Sequence, residues 1–180
     1  EALEVEMRGH VLEVGSGHYK RRGRFKPPLD GVGKWIYLDL EDRRKPDIRA
    51  NVEQLCFRDS VFDTVVCLEV FEYVTRPAVA LNEIWRVLKG RGTLILAAPF
   101  LQRSDHPHDY WRFTDNGLKY LLLESGFDIR SLKSQGKAFA VVVNILKNAI
   151  CKMQPGTLRT LIGLAAYFPL MGLFRMDEWI

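Results

Sequence analysis

Cysteine is scarce in this chain, with only Cys56, Cys67 and Cys151. Three scattered thiols form neither a disulfide framework nor a zinc site, and they suit a reducing, cytoplasmic setting. Membrane-spanning runs are missing as well. Thr160 to Phe174 carries no charge, yet it is too short for a span and contains Pro169. No secretory signal pattern, internal repeat or low-complexity tract is present, and a start at Glu1 is expected of a segment excised from something longer. Excess charge is small: a net +4 with a pI near 9.0 permits an acidic partner without requiring one. What remains is a chain of 180 residues, 47% hydrophobic and 27% charged, which reads as one soluble globular domain able to bury a core.

Its organising stretch runs from His10 to Gly17. Val11, Leu12 and Val14 form a short apolar run that stops at Gly15-Ser16-Gly17, the pattern of a buried parallel strand feeding a tight turn. A third glycine at position 20 would complete a dinucleotide fingerprint, but Lys20 stands there. Glu13 lies at the mouth of the strand, where it would repel a pyrophosphate and attract a cation. The loop therefore suits a nucleoside carrying positive charge.

Glu1 to Arg8 reads as a short lead-in helix. The five basic residues from Lys20 to Lys26, ahead of Pro27-Pro28, read as a solvated loop, since no aromatics interleave for nucleic-acid stacking. Trp35 to Leu40 is rich in strand formers and ends in Asp39, Glu41 and Asp42; an acid about 20 residues past a glycine turn can accept both hydroxyls of a ribose. Asp47 to Val52 reads as a third strand and Phe62 to Leu68 as a fourth, closed by Glu69, with Glu72 and Tyr73 just beyond. A helix follows from Thr75 and Pro77, with Leu81, Ile84, Trp85 and Leu88 on one face, stopped by Gly90 and Gly92. Thr93 to Ala98 is a fifth strand before Pro99-Phe100. Thr114 caps a helix with Phe113 and Leu118 as its staple, Gly126 ends it, and Phe127 to Leu132 reads as a sixth strand. This alternation predicts an α/β fold, a Rossmann-like doubly wound, mostly parallel sheet with helices on both faces. Ligands in such sheets lie outside the carboxyl ends of the strands, where Glu13, Asp39, Glu69 and Phe100 all fall.

Four runs carry a resemblance: Val-Leu-Glu-Val-Gly-Ser-Gly, Tyr-Leu-Asp-Leu, Phe-Asp-Thr-Val-Val-Cys-Leu-Glu-Val-Phe-Glu-Tyr-Val and Glu-Ile-Trp-Arg-Val-Leu-Lys-Gly-Arg-Gly. In order and spacing they resemble a class I S-adenosylmethionine-dependent methyltransferase, over about positions 10 to 130. The resemblance implies S-adenosyl-L-methionine as cofactor and S-adenosyl-L-homocysteine as product. It also implies that Glu13, Gly15, Ser16 and Gly17 hold the methionine end, Asp39 with Leu40 the ribose, and Asn51 with Val52 the adenine. Glu69 would stand between cofactor and acceptor. Three positions depart from the family pattern: Tyr19 where glycine is common, Asn51 where Asp is frequent, and Tyr73 where His is frequent. The oxygen of Asn51 can still accept from an adenine amino group.

Methyl transfer from a sulfonium is an in-line displacement, so a protein must chiefly align both partners at about 3 Å and exclude water. Candidates for acid–base work and acceptor binding follow the fifth strand, from Gln102 to Phe113. His108 is the first choice of base, with His106, Asp109 and Tyr110 beside it; Asp109 or Asp105 is expected to raise its basicity. The His-Asp-Tyr-Trp-Arg-Phe run also resembles a subgroup of small methyltransferases. Tyr73, Phe100, Trp111 and Arg112 would shape the acceptor pocket, with Arg112 suited to a carboxylate or phosphate. No resident metal is expected, because His106, His108 and Asp109 lack a well-spaced further ligand.

The domain expectation is a single methyltransferase domain over 1–180: a cofactor-binding core over 10–133 and an apolar, helical extension over 138–180, split at Gln154-Pro155-Gly156 and lacking the usual final antiparallel strand. The function expected is methyl transfer to an oxygen or nitrogen of a small molecule. The alternatives are a non-catalytic cofactor-binding or interaction module, or a lipid or quinone-like acceptor at a membrane surface. Nucleic acid is not expected as partner. The uncharged segments within 138–174 suggest a homodimer contact or a peripheral membrane face.

Overall fold

The computed structural model describes residues 7–15, 30–102, 104, 106–134, 138–151 and 153–176. Most of the expected lead-in helix, Ser16 and Gly17 of the turn, Tyr19, the basic run and Asp105 lie outside the described residues. The chain forms two compact units, Glu1–Phe100 with Asp105–Ser131, and Leu101–Ser104 with Leu132–Ile180.

Among the described residues the first unit has five strands, β1 (Gly9–Val14), β2 (Val32–Asp39), β3 (Ile48–Arg49), β4 (Phe62–Leu68) and β5 (Leu88–Ala97). They pair in the order β3-β2-β1-β4-β5, and every pairing is parallel. The switch of direction at β1, with β2 on one side and β4 on the other, opens a crevice at the carboxyl ends. Because side chains alternate across a strand, Leu12, Val14, Leu38, Val65 and Cys67 fall in the larger core, together with Leu81 and Ile84 of helix α1 (Pro77–Val87). Val11, Val66, Ile95 and Met7 form the smaller core. Glu13 belongs to the alternate set in β1, which is how an acid reaches the end of a buried strand.

β4 has the expected bounds, and β2 starts slightly earlier than expected, at Val32. The third strand is cut to two residues, Ile48–Arg49, instead of spanning Asp47 to Val52. Side chains at both ends capture backbone groups: Asp47 Oδ2 accepts from the Tyr37 N–H at 2.9 Å, and Asn51 Oδ1 accepts from the Glu53 N–H at 2.9 Å. The fifth strand starts at Leu88, directly on the end of α1, so Gly90 and Gly92 do not stop a helix. They lie in a slip of register between the pairs Phe62–Leu88 and Thr64–Thr93. A Cβ on Gly92 would come within 2.8 Å of Leu88 Cδ2, so the glycine permits the bulge.

Helix α2 (Asp115–Glu124) is capped as the sequence suggests: Thr114 Oγ1 accepts from the Gly117 N–H at 3.1 Å, while Phe113 and Leu118 are both buried in the larger core. Thr114→Ala is expected to cost about 1 kcal/mol of stability, read as a lowered midpoint in urea with an unchanged slope. The expected sixth strand over Phe127 to Leu132 is not formed among the described residues. Gly126 (φ 85°) instead closes a Schellman turn, with Phe127 N–H donating to Leu122 O at 3.0 Å and Gly126 N–H to Leu123 O at 3.0 Å. Phe127 and Ile129 then pack on the core as side chains, without extending the sheet.

The second unit contains α3 (Ala138–Cys151) and α4 (Thr157–Met176), separated near Gln154-Pro155-Gly156 as expected. The two helices pack on each other, with Gly163 of α4 opposite Ile150 of α3.

Candidate functional site

At the carboxyl end of β1 the chain leaves through Gly15, whose φ of 69° places it in the left-handed region and whose N–H donates to Leu38 O at 2.8 Å. A Cβ there would stand 2.1 Å from Val70 Cγ2, so no larger residue fits. Two positions back, Glu13 is buried, and its Oε2 accepts from the Trp35 indole N–H at 2.8 Å. Asp39, the last residue of β2, is also buried, and its Oδ1 accepts from the Glu41 N–H at 2.9 Å. Arg44 Nη1 lies 3.6 Å from its Oδ2. Glu41 is held by Arg43 and Arg44, which draw its carboxyl down to about 2 despite the opposing effect of burial. Leu40 projects its side chain to solvent.

Farther along the same edge, Val52 is buried and Asn51 is exposed. The Asn51 oxygen already serves the Glu53 N–H, so an adenine amino group would have to share it. Glu69 follows β4 with φ at 54°, a left-handed conformation that side chains seldom adopt and that is common at functional sites. Burial pushes its carboxyl upward against the pull of Arg112. Phe100 lies beyond β5, exposed.

The stretch from His106 to Phe113 is fastened at its base. Tyr110 and Trp111 N–H groups both donate to Glu72 O, at 2.7 and 3.2 Å, and the Trp111 indole N–H donates to Val74 O at 2.8 Å. Phe113 N–H reaches Pro99 O at 3.4 Å. Above these anchors runs an aromatic series: Tyr73 meets His106 edge-on at 5.8 Å, His106 lies 5.3 Å from His108, and His108 6.1 Å from Tyr110. His108 Nδ1 and the Tyr110 hydroxyl are 3.1 Å apart, leaving Nε2 facing away from that bond. Asp109 does not support His108 as the sequence suggested. Its two oxygens are taken by Arg112, Nη1 on one and Nη2 on the other at 2.7 Å. That fork also occupies the guanidinium expected to meet an anionic acceptor. Trp111 and Phe113 line an apolar cleft with Thr75, Pro77, Ala78 and Leu121, which contains none of the site's carboxylates.

Sequence reasoning passed over Glu72. It is 2% exposed, its Oε2 has no hydrogen-bond partner among the described residues, and its carbonyl holds the 106–113 stretch. Burial, helped by Glu69 and Asp109 and opposed by Arg112, raises its carboxyl to about 7. Its spacing of three from Glu69, with Tyr73 adjacent, was the signal available in the sequence. Among the described residues no group of three or more His, Cys, Asp or Glu could hold a metal ion. The donor set suits a different ligand: buried carboxylates on adjacent strands beside a glycine exit match a ribose diol and a cationic head group.

Comparison with known proteins points the same way. Residues 29–96 match the sequence profile of a methyltransferase domain family. An uncharacterised protein of Methanocaldococcus jannaschii is 41% identical over 68 residues, which make up 34% of this chain and 30% of that one. The chain therefore spans less than a third of the curated relative it matches. Among solved structures, a protein of Bacillus halodurans assigned as a methyltransferase superposes with a TM-score of 0.60 at 21% identity, covering 72% of this chain and 67% of that one. An S-adenosylmethionine-dependent methyltransferase of Aquifex aeolicus gives 0.54 at 16% identity, covering 70% and 77%. A Haloferax volcanii protein solved with the methyltransferase activator Trm112 gives 0.57 at 23%, covering 68% and 63%. These likenesses establish the fold, and the profile match covers the segment from β2 nearly to the end of β5. Fold and sequence agree: residues 29–96 resemble a methyltransferase domain, and the chain shares its fold with solved S-adenosylmethionine-dependent methyltransferases.

Proposed function

We propose that this protein transfers the methyl group of S-adenosylmethionine to a nitrogen or hydroxyl oxygen of a small molecule. The observation that carries the reading is the convergence of Glu13, Gly15, Asp39 and Glu69 at the carboxyl edge of a parallel sheet, with a His- and Tyr-bearing stretch anchored beside them on Glu72. When bound, the cofactor supplies a methyl already activated by positive sulfur. Glu13, Gly15, Ser16 and Gly17 bind its methionine end, Asp39 and Leu40 its ribose, and Asn51 and Val52 its adenine. Glu69 lies toward the acceptor, and its charge favours a cation over an anion there. Tyr73, Phe100 and Trp111 enclose the acceptor and exclude water, while Arg112 holds Asp109 and so fixes the stretch. His108 takes the proton that the acceptor atom loses as its new bond to carbon forms, with Tyr110 orienting the ring and His106 and Asp109 supporting the backbone turn.

Binding tests the cofactor half of this reading directly. Calorimetry is expected to show S-adenosylhomocysteine binding with a micromolar Kd, about −8 kcal/mol. Asp39→Ala is expected to weaken it about tenfold, since two ribose hydroxyls lose their buried acceptor. Binding of NADH in its place would overturn the reading.

A further inference from the structure

We propose that the α3–α4 hairpin is a docking face for an anionic lipid bilayer, lying flat in its surface. The face is defined by spacing. Leu158, Leu161, Leu164, Phe168 and Met171 recur at intervals of three and four residues, so they form one stripe along α4. All five are between 42% and 79% exposed. The inner side of α4 is used differently, for Gly163 meets Ile150 of α3. On α3, Val142, Ile145 and Leu146 are likewise exposed and apolar. A helix pair that buries one side and presents leucines and phenylalanine on the other has an unpartnered surface.

Charge selects the occupant. From Leu132 to Ile180 the chain contains Lys133, Lys137, Lys147, Lys152, Arg159 and Arg175 against only Asp177 and Glu178. The remaining chain carries no net charge, so the excess positive charge is concentrated in this segment. A second copy of this segment carries the same net positive charge, which opposes its association with itself. Anionic head groups complement them, and acyl chains complement the stripe. No described helix is long and apolar enough to cross a membrane, so the hairpin lies on the surface. This inference does not depend on what the first unit methylates.

The test is sedimentation of the full 180-residue chain with vesicles. Phosphatidylcholine vesicles containing about one third phosphatidylglycerol are expected to bind it at least about tenfold better than pure phosphatidylcholine, with most of that preference lost in about 0.5 M salt. Lys147→Gln with Arg159→Gln is expected to lower partition into the anionic vesicles about 25-fold, near fivefold per cation. Leu161→Asp with Phe168→Asp is expected to abolish binding to both; where circular dichroism shows that pair to lose helix, the charge pair carries the test. Equal, salt-insensitive binding to both vesicle types would overturn the proposal. So would a dimer in light scattering that sediments with neither.

Discussion

His108→Ala is expected to lower turnover about 100-fold while leaving the affinity for S-adenosylhomocysteine within about twofold. The split follows from where the residue stands. His108 is exposed, and it is linked to Tyr110 and His106 on a stretch anchored to residues beyond β4 and β5, whereas Asp39 closes β2. On the proposed reading, its loss removes a proton acceptor without removing a cofactor contact. A folding defect is not expected, because the stretch is anchored by Glu72 O, Val74 O and Pro99 O, none of which depends on the imidazole. Single-turnover kinetics on the best acceptor from a panel of amines and phenols would measure the effect. A variant that turns over at the parental rate would remove His108 from the chemistry and leave the cofactor reading, tested separately by calorimetry, intact.

Glu72→Gln is expected to stabilise the protein by about 3 kcal/mol at pH 8 and to leave it nearly unchanged at pH 4.5. The sign comes from burial. The Glu72 carboxyl lies near 7 in the folded chain, against 4.5 for an ordinary glutamate. Between those values the folded state keeps a proton that the unfolded state releases, so stability is fully present below about 4.5 and is lost as the pH rises through 7. The groups that face the carboxyl are Glu69 and Asp109, which disfavour its charge, and Arg112, which favours it while paired to Asp109. Cys67, buried on β4, has its thiol pushed up chiefly by burial and further by Glu72. Glutamine keeps the shape of the protonated acid and cannot ionise. Urea titrations across that pH range would show the slope flatten in the variant; parallel curves for both proteins would show that Glu72 ionises freely in the folded state.

Strand and helix identities in the first unit were legible because short apolar runs ended in glycine or acid, as at Val11 to Gly15 and Phe62 to Glu69. Thr114 was legible as a cap because its neighbours Phe113 and Leu118 have the spacing of a staple. What could not be read were competitions settled by tertiary contact. Gly90 and Gly92 carry the same signal for a helix stop and for a strand bulge, and the pairing of Leu88 with Phe62 decides between them. Phe127 to Leu132 has strand composition, yet the Gly126 turn sends Phe127 back to the helix it follows. In the site, residue types on the right loop were visible, but not which carboxylate each basic group would take. Asp109 chose Arg112 over His108, and Glu72 was hidden because its importance lies in having no partner for its Oε2 among the described residues.

The two margins of the described sheet share a further property. At one side β3 offers only Ile48 and Arg49; at the other, β5 carries Lys89, Gly90 and Arg91 exposed within its slipped register. A foreign strand seeking to add itself finds too short a template at the first and a charged, twisted one at the second. Crowded chains are thereby discouraged from joining sheet to sheet into aggregates at these two places.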